Sequence, residues 1–211
     1  FDLANPAAPP VDTGTVLAWY GSAAADRPHH RIFVASLDGT ELWAYDAIGN
    51  SAMALTGGPY GWHSTVAFTG TVRGADLLYK TSLNIGSADF EVYDPLLDAW
   101  TLLNPYETGC QMAVSTAGQL FAYNYNLGTI DRYHPATDTW TQKGNLVLGL
   151  GYIQATAVDG LIYGFGGTVF DGTNLVTQVK TQVFDPVAGT WDDAAVAELP
   201  TAGAEGRAFG F

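Results

Sequence analysis

Phe90-Glu-Val-Tyr-Asp-Pro-Leu-Leu-Asp-Ala-Trp-Thr101 decides the fold, because the chain writes it twice more. The second copy is Ile130-Asp-Arg-Tyr-His-Pro-Ala-Thr-Asp-Thr-Trp-Thr141 and the third is Thr181-Gln-Val-Phe-Asp-Pro-Val-Ala-Gly-Thr-Trp-Asp192. In each, an aromatic (Tyr93, Tyr133, Phe184) is followed by a polar residue and a proline (Asp94-Pro95, His134-Pro135, Asp185-Pro186). A tryptophan (Trp100, Trp140, Trp191) comes seven positions after the aromatic. A strand ends at the aromatic pair, where proline, with fixed φ and no N–H, stops the ladder. A turn follows, and the tryptophan begins the next strand and packs back between repeats.

Weaker copies lie upstream. Glu41-Leu-Trp-Ala-Tyr-Asp46 lacks the proline and the tryptophan, and the chain opens on Phe1-Asp2 followed by Asn5-Pro6. The anchors Phe1, Tyr45, Tyr93, Tyr133 and Phe184 are 40 to 51 residues apart. A period in the forties holding several short strands points to propeller blades.

Composition agrees with an all-β chain. Charged residues make up 14% of the 211, aromatics 13%, and there are 25 glycines. Most acidic residues are Asp, which suits turns, rather than Glu, which suits helices. Short runs such as Arg31-Ile-Phe-Val-Ala-Ser36 and Leu120-Phe-Ala-Tyr123 are punctuated by Gly, Asn, Asp and Pro. A formal charge of −13 argues against a nucleic-acid partner, which needs a basic face. One cysteine excludes an intrachain disulfide framework, and no apolar run is long enough to read as a membrane span.

Upstream of the last copy, Asp159-Gly-Leu-Ile-Tyr-Gly-Phe-Gly-Gly167 reads as a buried strand ending in two glycines, which permit close backbone approach or a bulge. Gly166-Gly167 together with Phe184-Asp185-Pro186 and Trp191 resembles the kelch repeat, as found in the galactose-oxidase central-domain-like superfamily. The blades anchored at Tyr93 and Tyr133 keep the aromatic-Pro-Trp half and lack the glycine pair. The resemblance implies a kelch-like β-propeller forming one domain over 1–211. Its four-stranded blades fall at about 12–57, 58–104, 105–145 and 146–199, with partial blades at 1–11 and 200–211. The chain opens at the aromatic-Asp of one blade and stops in what reads as the first strand of another, so the expectation is a segment of a six- or seven-bladed ring, with a five-bladed ring missing one strand as the alternative, whose open sheet edges can associate with another chain.

Residues that carry chemistry are sparse. His134 fills the Asp slot of the repeat and reads as a turn residue. His29 and His30 follow Asp26-Arg27-Pro28 in a polar loop and read as a solvated pair, with no carboxylate–histidine spacing beside them. Cys110 reads as a buried thiol, since no neighbouring cation would lower its pKa. Some kelch propellers are copper-radical oxidases, but no motif here gathers the two His, two Tyr and Cys they need, so copper is not expected. Asp171-Gly-Thr-Asn174 and Asp192-Asp193 offer oxygens to calcium, yet Asp-Gly is also a common hairpin turn. The expectation is no catalytic residue, no metal and no required cofactor.

Kelch-like propellers usually meet ligands where chain segments lead into the innermost strands. Here those segments are Pro59-Tyr-Gly-Trp-His-Ser64, Tyr106-Glu-Thr-Gly-Cys-Gln111, Gly149-Leu-Gly-Tyr-Ile-Gln154 and Gly203-Ala-Glu-Gly-Arg-Ala208. They place Tyr60, Trp62, His63, Glu107, Gln111, Tyr152, Gln154, Glu205 and Arg207 at the rim of the central channel. Aromatics mixed with amides and one Arg suit a sugar or a peptide. The loop Thr168 to Val179 is the next candidate. The expected function is a non-enzymatic binding or assembly module for a protein or glycan partner. Low lysine and abundant Thr, Gly and Ala suit an extracellular or cell-surface protein. The alternative is an enzyme, galactose-oxidase-like or carbohydrate-active, whose catalytic groups lie partly outside this segment.

Overall fold

The computed structural model describes residues 21–59, 65–72, 75–81, 89–106, 110–114, 118–124, 128–145 and 153–203. Among these there is no α-helix, and the chain folds into four antiparallel sheets of four strands each. The first holds β1 (Ser22–Asp26), β2 (Arg31–Ala35), β3 (Leu42–Asp46) and β4 (Ser51–Leu55). The second holds β5 (Thr65–Val72), β6 (Ala75–Thr81), β7 (Phe90–Asp94) and β8 (Ala99–Leu102). The third holds β9 (Cys110–Val114), β10 (Leu120–Asn124), β11 (Thr129–His134) and β12 (Thr139–Asn145). The fourth takes β13 (Gln154–Val158) and β14 (Leu161–Phe165), then leaves the sheet as a separate hairpin, β15 (Thr168–Phe170) and β16 (Leu175–Thr177). It returns through β17 (Thr181–Asp185) and β18 (Thr190–Asp192). Each sheet keeps its strands in chain order, and the first strands lie side by side: β1 against β5, β5 against β9, β9 against β13.

The period-2 alternation of strand side chains explains how the sheets stack. On β6, Leu77 and Tyr79 face the third sheet, joining Phe90, Val92, Tyr106 and Tyr133 in one core, while Leu78 faces the first sheet with Phe33, Leu42 and Tyr93. On β10, Leu120 and Ala122 enter the core shared with the second sheet, and Phe121 and Tyr123 the core shared with Ile162 and Phe184 of the fourth. The middle strands are buried on both faces, which is why they read as near-continuous apolar runs. Each fully buried aromatic contributes roughly 1.5–3 kcal/mol.

The recurring segment is a hairpin turn. β3, β7, β11 and β17 each end one residue past the aromatic, and the tryptophans lie one residue inside β8, β12 and β18. Trp100 packs on Tyr93, Trp140 on Tyr133 and Trp191 on Phe184, with centroids 5.1–5.2 Å apart. Five residues after each aromatic, at Asn50, Asp98, Asp138 and Gly189, the backbone takes a positive φ of 46–71°. Glycine, Asn and Asp are the residues that tolerate that conformation. Tyr45 donates its hydroxyl to Asn50 at 2.9 Å, as Tyr93 does to Asp98 at 2.5 Å and Tyr133 to Asp138 at 2.7 Å. The copy at Tyr45 is therefore fuller than its missing proline and tryptophan suggest.

Candidate functional site

The four segments expected to lead into first strands are each anchored at a described residue, by a different chemistry. Pro59 is held by Lys80, whose Nζ donates to its carbonyl at 2.5 Å. Lys80 and Glu91 sit opposite one another on β6 and β7, with Nζ 2.8 Å from Oε2. Both side chains are buried, 1% and 2% exposed, and Nζ also lies 5.2 Å from the Trp100 ring centroid. Burial pushes the Glu91 carboxyl up, against the opposing pull of the ammonium. Gly57 and Gly58 make this crossing possible. A Cβ at Gly57 would meet the Thr40 carbonyl oxygen at 1.8 Å, and one at Gly58 would meet Lys80 Nζ at 2.8 Å.

Tyr106 anchors the second segment. Its buried ring lies on Trp140, with centroids 4.4 Å apart, and its hydroxyl donates to the Asp131 carboxylate. The third is anchored at Ile153, whose carbonyl accepts the buried Tyr123 hydroxyl. The fourth is anchored at Gly203. Its carbonyl accepts from Gly167 N at 2.8 Å, and its N–H reaches the Gln178 carbonyl at 3.2 Å. Here the glycine pair does what the sequence suggests. Gly166 and Gly167 have φ of 62° and 94°, and a Cβ at Gly166 would stand 2.3 Å from the Gly203 oxygen.

Of the nine expected rim residues, Gln154 is fully described: it opens β13, pairs with Phe165 and is buried. Gln111 lies on β9 opposite Tyr123, its side chain outside the described set. Tyr60, Trp62, His63, Glu107, Tyr152, Glu205 and Arg207 lie outside the described residues. The groups that sequence reasoning missed are Lys80, Glu91, Tyr123 and Asp131, all on strands. Two like-spaced charges within apolar runs, Lys80 after Leu77-Leu-Tyr79 and Glu91 after Phe90, were the available signal.

The stretch Thr168 to Val179 is more than a loop. β15 and β16 pair as a ribbon, closed by Asp171, whose carboxylate accepts from Thr173 N and Asn174 N at 2.8 Å each. Those amides hold its pKa below the ordinary carboxylate range. Val169 packs on the core between the third and fourth sheets. Phe170 and Leu175, paired across the ribbon, are 63% and 61% exposed. Asp192, the other carboxylate considered for calcium, accepts from Ala194 N and Ala195 N.

One expectation needs correcting. His29 is not without a carboxylate: its Nδ1 is 2.9 Å from Oδ1 of Asp26, three residues back across a single 3-10 turn. Asp26 is fully buried and also accepts from Arg31 Nε at 2.9 Å and Nη2 at 2.5 Å. The turn between β1 and β2 brings together what the polar loop composition concealed. Among the described residues, no group of three or more His, Cys, Asp and Glu side chains is placed to hold a metal ion. No described helix is long and apolar enough to cross a membrane. No protein-family model and no curated protein matches the chain.

Proposed function

We propose that the chain is a kelch-like propeller module, extracellular or at the cell surface, that binds a protein or glycan partner without transforming it. The four chain-ordered sheets and their adjoining first strands support the propeller reading. The observation that carries the binding reading is the β15–β16 ribbon, which stands apart from every four-stranded sheet and holds Phe170 and Leu175 toward solvent. Two large apolar side chains on an ordered protrusion gain roughly 1.5–3 kcal/mol each when a partner covers them. The base of the ribbon is held by Gly203, which bonds to Gly167 and Gln178 at its two ends.

The test is binding of the purified chain to a glycan array and to a displayed random-peptide library, repeated with Phe170→Ser/Leu175→Ser. A ligand class whose affinity falls about tenfold in that variant, with melting unchanged, is the expected result. Binding that ignores the substitution would remove the ribbon from the site. Turnover of the captured ligand would overturn the non-enzymatic reading.

A further inference from the structure

A second surface lies at the other end of the sheets, on the turns that join each third strand to its fourth. In the first, second and fourth sheets the tip of this turn presents large apolar side chains to solvent. Ile48 is 74% exposed, Leu96 89%, Leu97 73% and Val187 98%. Ile48, Leu96 and Val187 occupy the same place in the repeat, three residues after Tyr45, Tyr93 and Phe184. Nothing in a hairpin turn demands an apolar side chain there, and none of these four supports the core clusters.

The same three turns share a further feature. The residue opening each is an aspartate, whose carboxylate accepts both tip amides. Asp46 takes Ile48 N at 2.9 Å and Gly49 N at 3.0 Å, and Asp94 takes Leu96 N at 2.8 Å and Leu97 N at 3.3 Å. Asp185 takes Val187 N at 2.8 Å and Ala188 N at 3.1 Å. In the third sheet His134 replaces the aspartate and the tip residue is Ala136. Among these four turns the large apolar tip and the amide-capturing aspartate occur together, while Asp171 and Asp192 capture amides in the same way elsewhere. A tip whose amides are already satisfied can be covered without stranding a backbone donor, which removes the main cost of burying a turn.

From this pairing we infer that the turn tips are a docking surface for a protein partner presenting apolar side chains within a rim of lysine and arginine. Charge selects that occupant. The four turns carry Asp46, Asp94, Asp98, Asp138 and Asp185 and no Lys or Arg. Beside the first tip Arg31 pairs with Asp46 across the strands and is bonded to Asp26, and His30 lies near, so a second copy of a chain of charge −13, or an anionic bilayer, meets like charge chiefly at the second and fourth tips. The amides of Gly49 and Ile48 hold the Asp46 carboxyl below its ordinary value. This surface is separate from the β15–β16 ribbon and does not depend on its function.

The experiment measures fluorescence anisotropy of a short peptide alternating lysine and leucine, with its glutamate–leucine counterpart as control, against the full chain and Leu96→Ser/Leu97→Ser/Val187→Ser. The lysine peptide should bind in low salt, lose roughly fivefold or more in the variant, and be unaffected by Phe170→Ser. Val187→Ser alone, at a nearly fully exposed position, serves should the triple variant fold poorly. Equal affinity for wild type and variant, or equal binding of the glutamate peptide, overturns the inference. So does a wild-type dimer in light scattering, or flotation with phosphatidylcholine vesicles, that the substitutions abolish.

Discussion

The seam between the first and second sheets and the seam between the third and fourth join equivalent surfaces by different means. In the former, Asp98 accepts the Tyr93 hydroxyl and, at 2.8 Å, the N–H of Thr56 from the preceding sheet's exit. Trp100 Nε1 donates to the Thr56 carbonyl at 2.8 Å, and the Lys80–Glu91 pair lies buried beside it. The second seam repeats the tie, with Asn104 N on Asp138 Oδ2 at 3.0 Å. In the last seam, Phe184 has no hydroxyl and Gly189 no side chain. Gly144 instead approaches so closely that a Cβ would stand 3.2 Å from both the Gly189 oxygen and the Phe184 ring. Phe184 and Gly189 thus remove together the hydroxyl–carboxylate pair that Tyr93–Asp98 and Tyr133–Asp138 form. The first two seams tie their outer strands by directed side-chain bonds, whereas the last closes its outer edge on a glycine and keeps its directed bond further in, from the Tyr123 hydroxyl to the Ile153 carbonyl.

The largest effect should come from breaking the charged seam. Glu91→Gln leaves a buried lysine uncompensated and should cost about 3–5 kcal/mol in urea unfolding, whereas Lys80→Met/Glu91→Leu together should cost only about 1 kcal/mol, for the lost bond to the Pro59 carbonyl. A large loss in the double variant as well would show that the pair is more than self-compensating. In the last seam, Gly189→Ala should cost about 1–2 kcal/mol, because φ of 71° is strained for any residue bearing a Cβ. Gly189→Asp should not restore the tie of the other seams, because Phe184 offers no hydroxyl to its carboxylate and a Cβ there would stand 3.3 Å from the Lys143 carbonyl oxygen, which must give by a few tenths of an ångström. Tyr93→Phe is expected to cost about 1 kcal/mol, and Phe184→Tyr to give no gain, since its hydroxyl finds no carboxylate.

The smallest effect is on pH dependence. The Tyr93 hydroxyl, then the Thr56 amide, hold the Asp98 carboxyl below its ordinary value of 3.8. Its contribution is present above that value and is lost as pH falls through the depressed pKa. Glu91, shifted upward, acts with opposite sign: its contribution is present below the ordinary value of 4.5 and lost as pH rises through the raised pKa. Melting temperature against pH should therefore show a shallow acid decline that Asp98→Asn flattens. A decline of equal slope in that variant would assign it to other carboxylates.

The turns were the most legible part of the molecule. Asp94, Pro95 and Trp100 mark the end of one strand and the start of the next within seven residues, and local chemistry settles both. The position five after the aromatic stood in the same line of sequence, but its meaning appears only when Asn50, Asp98, Asp138 and Gly189 are seen to share one backbone conformation. The candidate site was less legible. Its rim residues were chosen from segments leading into first strands, whereas Lys80, Tyr106, Tyr123 and Gly203, which anchor those segments, act on groups 21 to 36 residues away.

By itself the sequence determined an all-β chain of repeated hairpins, because strand alternation, proline, glycine and aspartate act over a few residues and carry their geometry with them. Tertiary structure alone decided that Lys80 faces Glu91, that Asp26 gathers His29 and Arg31, and that Thr168–Thr177 leaves the sheet as a ribbon. These depend on register and on which faces meet, where a shift of one residue turns every side chain to the opposite side.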